Sequence, residues 1–250
     1  MTSASAEFEA PLNRAPTILA IVVTRENPTG TLRTLERQTV RADRVVVSDH
    51  RFRDSKTGPR VGKSINRTLT EVPWREYDYI LRLDGDSQVP PDFVEKALKE
   101  NADVVGSGGS GLLFRREVLE AMRGHWPELD GEDSYFVWKA RELGFKQTLP
   151  SVRGTGRPFG REYTITRFLS WGFNCYRIGN EPVNFLRMAL VSAKAAKRPG
   201  FLLAIPAYFG CFLIRMRRLD VADFVTRTQI RLVSRGLRRR ISSGPAESGA

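Results

Sequence analysis

Residues 79–86 read Tyr-Ile-Leu-Arg-Leu-Asp-Gly-Asp, an apolar strand pattern that stops in two carboxylates one residue apart, Asp84 and Asp86. Alternate residues of an extended chain project to opposite sides, so these two acids share a side at the strand's end. Close carboxylates repel each other unless a cation lies between them. Oxygen-only ligation suits a hard divalent ion, Mg2+ or Mn2+, which keeps positions open for phosphate oxygens. Such an ion can hold a nucleoside diphosphate as it departs. Asp-Gly-Asp also occurs in ordinary surface turns, so its meaning depends on its surroundings. A second acidic pair, Glu132-Asp133, follows Gly131 and opens a helix that runs to about residues 143–145. A carboxylate near a helix N-terminus is favoured by the macrodipole, and by itself reads as a cap.

The elements that must position these acids alternate. Residues 17–24 are a continuous apolar run of the kind found in strands covered on both faces. A helix is expected over 31–38, a strand over 44–48 ending at Asp49, and a glycine- and lysine-bearing stretch over 58–63 leading into a helix at 64–71. The strand at 77–83 follows, and Pro90-Pro91 open a helix over 92–101. This alternation predicts an α/β fold with a mainly parallel sheet flanked by helices. Ligands of such sheets bind beyond the carboxyl ends of the strands, where Thr24, Asp49, Asp84 and Asp86 all fall. Beyond residue 104 come Gly106, Gly108, Gly109 and Gly111, then a helix over 115–122.

The chain has 250 residues, enough for one α/β domain with an appendage. Its formal net charge of +12 implies an anionic partner: nucleic acid, anionic lipid or a phosphorylated substrate. Cys175 and Cys211 lie far apart without metal-ligand spacing, which suits a reduced, cytoplasmic chain. Residues 1–13 are polar and acidic, with no apolar core of a signal peptide, and are expected to be disordered.

Taken in order, these residues resemble the inverting GT-A glycosyltransferases of family 2, over residues 17–145 and more weakly to 182. The matching pieces are the loop Val23-Thr24-Arg25-Glu26-Asn27, Asp49 in Val47-Ser48-Asp49, the helix opening Gly62-Lys63-Ser64-Ile65-Asn66, Asp84-Gly85-Asp86, and Glu132-Asp133. The resemblance implies a nucleotide-diphosphate sugar donor, contacted by Thr24, Glu26, Asp49, Arg60, Lys63, Asn66, Asp84 and Gly85. Asp49 would bind the base, and Arg60 or Lys63 would lie near base or phosphate. Asp86, with Asp84 beside it, would hold Mg2+ or Mn2+ against the leaving diphosphate. Asp133 would act as general base on an acceptor hydroxyl, and Glu132 would hold the acceptor or tune Asp133. The anomeric configuration would invert.

The pattern also departs from relatives. Both histidines, His50 and His125, precede Asp133, and residues 164–168 keep only Arg167 of a Q-x-x-R-W motif. That argues against a processive polysaccharide synthase. Arg153, Arg157 and Arg161 in the glycine-rich stretch 152–161 resemble the Arg-x-x-Gly loop of polyprenyl-phosphate sugar synthases, where arginine meets phosphate. A phosphate acceptor is therefore the alternative. It would need little base catalysis, so Glu132-Asp133 tilts the reading towards a hydroxyl on a lipid-linked or cell-surface glycan.

Residues 183–196 and 201–214 are apolar runs bordered by Lys194, Lys197, Arg198 and Arg215, and residues 215–240 are rich in arginine. A spanning helix needs about 20 apolar residues. The second run is shorter and contains Pro206, so it reads as an interfacial or re-entrant segment held to anionic headgroups; a core helix on the main domain is the plainer alternative. The expected organisation is a disordered start at 1–15, a catalytic domain at 16–182, a helical membrane-associating region at 183–240 with its anionic contact over 199–240, and a disordered tail at 241–250. The expected location is the cytoplasmic face of the cell membrane. Nucleic acid is not expected as partner, because no reading module accompanies the arginines. A nucleotidyltransferase would show a glycine cluster after the first strand, and Thr24-Arg25-Glu26-Asn27-Pro28 has none. A non-catalytic member of the fold is disfavoured by the presence of both Asp86 and Asp133.

Overall fold

The computed structural model describes residues 14–52, 57–150 and 164–242. Strand β1 (Ile18–Val23) is buried along its whole length. Its period of two divides the core: Leu19, Ile21 and Val23 face one apolar cluster, while Ile18, Ala20 and Val22 face the other. This is the geometry that a continuous apolar run allows and an alternating run does not. Beside β1 lie β2 (Arg44–Ser48) and β3 (Tyr79–Asp84), both parallel to it. With β4 (Val104–Gly106), β5 (Leu112–Arg115) and β6 (Gln147–Thr148) they form a six-stranded sheet in the order β2-β1-β3-β5-β4-β6. Only β5 among these strands runs against the rest.

Helices α1 (Thr29–Glu36), α2 (Thr57–Glu71), α3 (Phe93–Lys99), α4 (Arg116–Ala121) and α5 (Glu132–Glu142) flank the sheet. Two departures from the sequence-based expectation are informative. The helix expected from residue 64 begins at Thr57, so Gly58 and Gly62 lie inside it rather than in a loop. They stand one turn apart on the face that meets residues 127–130. A Cβ on either would come within 2.3 Å of a carbonyl oxygen, of Leu129 and Pro127 respectively. These glycines are there for close packing, not for a turn. The stretch 104–114, read only as glycine-bearing, supplies β4 and β5 with a tight connection between them. The antiparallel pairing of β5 with β3 brings that connection over the end of β3, where Asp84 N–H donates to Gly109 O at 2.7 Å.

The C-terminal part is helical: α6 (Ile165–Ile178), α7 (Pro182–Ala195), a 3-10 turn at Pro199–Leu203, α8 (Ala204–Leu213) and α9 (Ala222–Ser242). The run expected to lie at a membrane interface puts one face into protein. Phe201, Ala204, Tyr208 and Cys211 are buried, and Tyr208 stacks on Phe185 at 4.3 Å between ring centroids. The other face is open, with Leu202, Leu203, Phe212, Leu213 and Ile214 exposed. No helix among the described residues is long and apolar enough to cross a membrane. This helical part also grips α5: Asp220 accepts from Tyr135 Oη at 2.9 Å and pairs with Lys139 Nζ at 2.8 Å. Val221 and Val225 pack with Ile178 against Tyr135 and Trp138.

Candidate functional site

A cleft of about 660 Å3 opens where the carboxyl ends of β1 and β3 meet the start of α5. Its wall brings together Thr24, Glu26, Arg60, Asp84, Gly85, Asp86, Glu132 and Asp133, residues drawn from four separate stretches of sequence. Parallel pairing places Val23 opposite Asp84, so the first loop and the acidic turn necessarily lie side by side. The contact is close: a Cβ on Gly85 would fall 2.3 Å from Thr24 Oγ1. Gly85 N–H donates to Val23 O and Ser87 N–H to Asp84 O, which fixes the turn.

One residue of this wall was not marked as functional by its sequence context. Arg82 is only 3% exposed, and its Nη2 lies 2.9 Å from Asp84 Oδ1 and 3.2 Å from Glu132 Oε1. Its Nε and Nη1 are buried without a hydrogen-bond partner among the described residues. The signal was present, since Arg82 interrupts an apolar strand two residues before Asp84 and so shares its face. Burial opposes the charge on Arg82, but Asp84, Glu132, Asp133 and Asp86 outweigh it and raise its pKa. Glu132, itself 8% exposed, is pushed up to about 8, first by burial and then by the charge of Asp133, against the pull of Arg82. Glu132 and Asp133 therefore sit in unlike environments: one turned inward to a guanidinium, the other half-buried at the mouth of α5. Asp133 Oδ1 accepts from the Ser134 N–H at 2.6 Å.

The loop between β4 and β5 roofs the acids. A Cβ on Gly108 would come 2.6 Å from Asp133 Oδ2, and one on Gly109 would come 1.7 Å from Asp84 Oδ2. Only glycine lets backbone approach the carboxylates this closely. Arg60 stands on the wall from α2, with its Nε buried and unpartnered among the described residues. Arg167, at the start of α6, also reaches the cleft.

Three expected residues are placed elsewhere. Asp49 is exposed just past β2 and is not on the wall, whereas its neighbour His50 is. Lys63 is half-buried on α2, off the wall. Asn66 is a staple: its amide accepts from Trp126 N at 2.7 Å and donates to Trp126 O at 2.9 Å, fixing the segment that Gly62 packs against. Arg153, Arg157 and Arg161 lie outside the described residues.

No group of three or more His, Cys, Asp or Glu side chains able to hold a metal occurs among the described residues. Asp84 and Asp86 supply carboxylate oxygens only, and Arg82 takes up one oxygen of Asp84. That donor set fits Mg2+ or Mn2+ whose remaining ligands are phosphate oxygens and water.

No protein-family profile and no curated protein sequence matches the chain. Solved structures do. A mannosyltransferase from Pyrobaculum calidifontis, determined with GDP-Man and Mn2+, superposes with a TM-score of 0.51 over 92% of this chain and 86% of its own, at 14% identity. A Drosophila β1,4-galactosyltransferase 7, determined with manganese, UDP-Gal and xylobiose, covers 56% of this chain and 71% of its own at a TM-score of 0.38 and 19% identity. The fold of this chain is that of the GT-A glycosyltransferases.

Proposed function

We propose that the chain is a metal-dependent, inverting glycosyltransferase of family 2 that moves a sugar from a nucleotide-diphosphate donor to an acceptor hydroxyl. The observation that carries this reading is the convergence of Asp84, Asp86 and Asp133 on one cleft. The likeness to a mannosyltransferase determined with GDP-Man and Mn2+ supports the donor class. Thr24, Glu26 and Arg60 would line the nucleotide, Arg60 offering a charged donor to phosphate. Asp86 and Asp84 would hold Mg2+ or Mn2+, which supplies positive charge to the diphosphate as it leaves.

The reaction is an in-line displacement. The acceptor oxygen forms a bond to the anomeric carbon while the bond from that carbon to the diphosphate oxygen breaks. Asp133 takes the proton of the acceptor hydroxyl, and the nucleoside diphosphate leaves with the bonding electrons. Arg82 keeps Glu132 and Asp84 compatible in one small volume, so that Asp133 remains the carboxylate facing the acceptor. The acceptor on this reading is a lipid-linked or cell-surface glycan, and the enzyme works at the cytoplasmic face of a membrane. Its catalytic domain spans 16–182 and its helical membrane-associating region 183–240, with the anionic contact over 199–240.

The test is a calorimetric titration with UDP, GDP and dTDP, with and without Mn2+. Metal-dependent binding of one nucleotide is expected, and loss of it in Asp86→Ala. Asp133→Asn should keep nucleotide binding and lose on the order of 10²–10⁴ in transfer rate. Unchanged transfer in Asp133→Asn would point to an acceptor that is already ionised, such as a polyprenyl phosphate.

A further inference from the structure

A second cavity, of about 930 Å3, also reaches Asp133, and its walls come from α5, α6, α7 and α9. Among the described residues, Asp133 alone lines both this cavity and the nucleotide cleft. A general base has to touch the acceptor, so the second cavity is where an acceptor can meet it. The walls suit a saccharide: Trp138, with Arg141 over one side of its ring at 4.3 Å, and Trp171 line the cavity together with the amides of Asn174 and Asn184. Asn180 and Gln229 are spent on each other at 2.7 Å, leaving Asn174 and Arg187 among the polar groups of the wall.

The rim continues into a different chemistry. Val183, 64% exposed, lies on it, and at helical spacing along α7 follow Arg187, Leu190, Val191 and Lys194, all exposed. Apolar and cationic side chains mixed along one open helix face match an alkyl chain carrying an anionic linkage. We infer that this cavity is the acceptor subsite and that the acceptor is an amphiphile: a saccharide joined to a lipid. Its sugar lies between Trp138 and Trp171 with a hydroxyl at Asp133, and its chain runs along α7. The inference rests on the glycosyltransferase reading and narrows its acceptor.

The test uses octyl glycosides of glucose, galactose and mannose below their micellar concentrations, with the free sugars beside them. Tryptophan emission of the full-length protein is the readout. At least one octyl glycoside should bind about a hundredfold more tightly than its free sugar, the gain from burying a few methylenes. Asn174→Phe, which fills the cavity, should weaken that binding about tenfold or more. Val183→Glu, at an exposed rim position where a helix N-terminus favours an acid, should remove only the advantage of the alkyl chain. Nucleoside diphosphate binding with Mn2+, measured on the same samples, should be unchanged in both variants. Equal affinity for free and alkylated sugar would overturn the lipid-linked acceptor. No glycoside binding, or full binding in both variants, would overturn the cavity as its site. Glycoside binding in a protein that binds no nucleotide would overturn the transferase reading on which this one rests.

Discussion

The chemistry of the cleft turns on a guanidinium set among carboxylates. Removing Arg82 would leave the half-exposed Asp84 and the buried Glu132 beside one another without the guanidinium that touches both, and should destabilise the fold. Even with Arg82 in place, Glu132 ionises only near pH 8 in the folded protein, against 4.5 ordinarily. Its carboxyl is thus neutral in the native state and charged in the unfolded state across that interval. Such a group favours folding fully below pH 4.5, and the contribution is lost as pH rises towards 8. Glu132→Gln, which stays neutral, should melt with the wild type near pH 4.5 and above it at pH 8, by an amount on the order of a few kcal/mol at most. Melting midpoints across this range, without added metal, are the measurement. Curves that stay parallel would mean that Arg82 holds Glu132 ionised at its ordinary pKa.

At the scale of elements, glycines do the positioning. Gly58 and Gly62 let α2 lie against residues 127–130, the segment leading into α5, and Asn66 locks that contact. Gly108 and Gly109 let the β4–β5 connection close over the acids. In Gly109→Ala the new Cβ would overlap Asp84 Oδ2, so the loop or the carboxylate must move. Metal-dependent nucleotide binding should fall at least about tenfold, a loss of about 1.4 kcal/mol, and because the Cβ would also come 2.4 Å from Nη1 of buried Arg82 the melting point should fall with it. Wild-type binding in this variant would show that Asp84 has no part in holding the donor.

At the scale of the molecule, the helical C-terminal part is fastened to the helix that carries Asp133. Asp220 holds Tyr135 and Lys139, and Thr226 Oγ1 donates to Gly179 O at 2.7 Å. Deleting α8 would uncover Phe185 and its partners, so a role for its open face is better tested on the surface. Leu213 is 80% exposed and Ile214 71%, next to Arg215 and Arg217. If this tip enters a bilayer, Leu213→Glu with Ile214→Glu should reduce sedimentation with anionic vesicles at least about tenfold. The melting point should not change, because nothing buried is touched. Unaltered sedimentation would place the membrane contact elsewhere.

The alternating apolar runs and the carboxylates at their ends were legible in the sequence because periodicity and strand direction are local properties. So were the α/β class, Asp84 at the end of a strand, and Asp133 at a helix start; Asp86, expected in extended chain, instead stands in the turn that Ser87 N–H closes on Asp84 O, so strand alternation does not place it. Distance along the chain hid the rest. That Gly58 and Gly62 belong to a helix depends on what packs against it. Asn66 belongs to Trp126, and Arg82 to Glu132, because contacts across about 50–60 residues join them. The 201–214 run shows the same limit: its composition signals an apolar surface, but only α6 and α7 determine which face is covered. The acids of the cleft could be named from their own neighbours, whereas the second cavity beside Asp133 exists only because four helices meet around it.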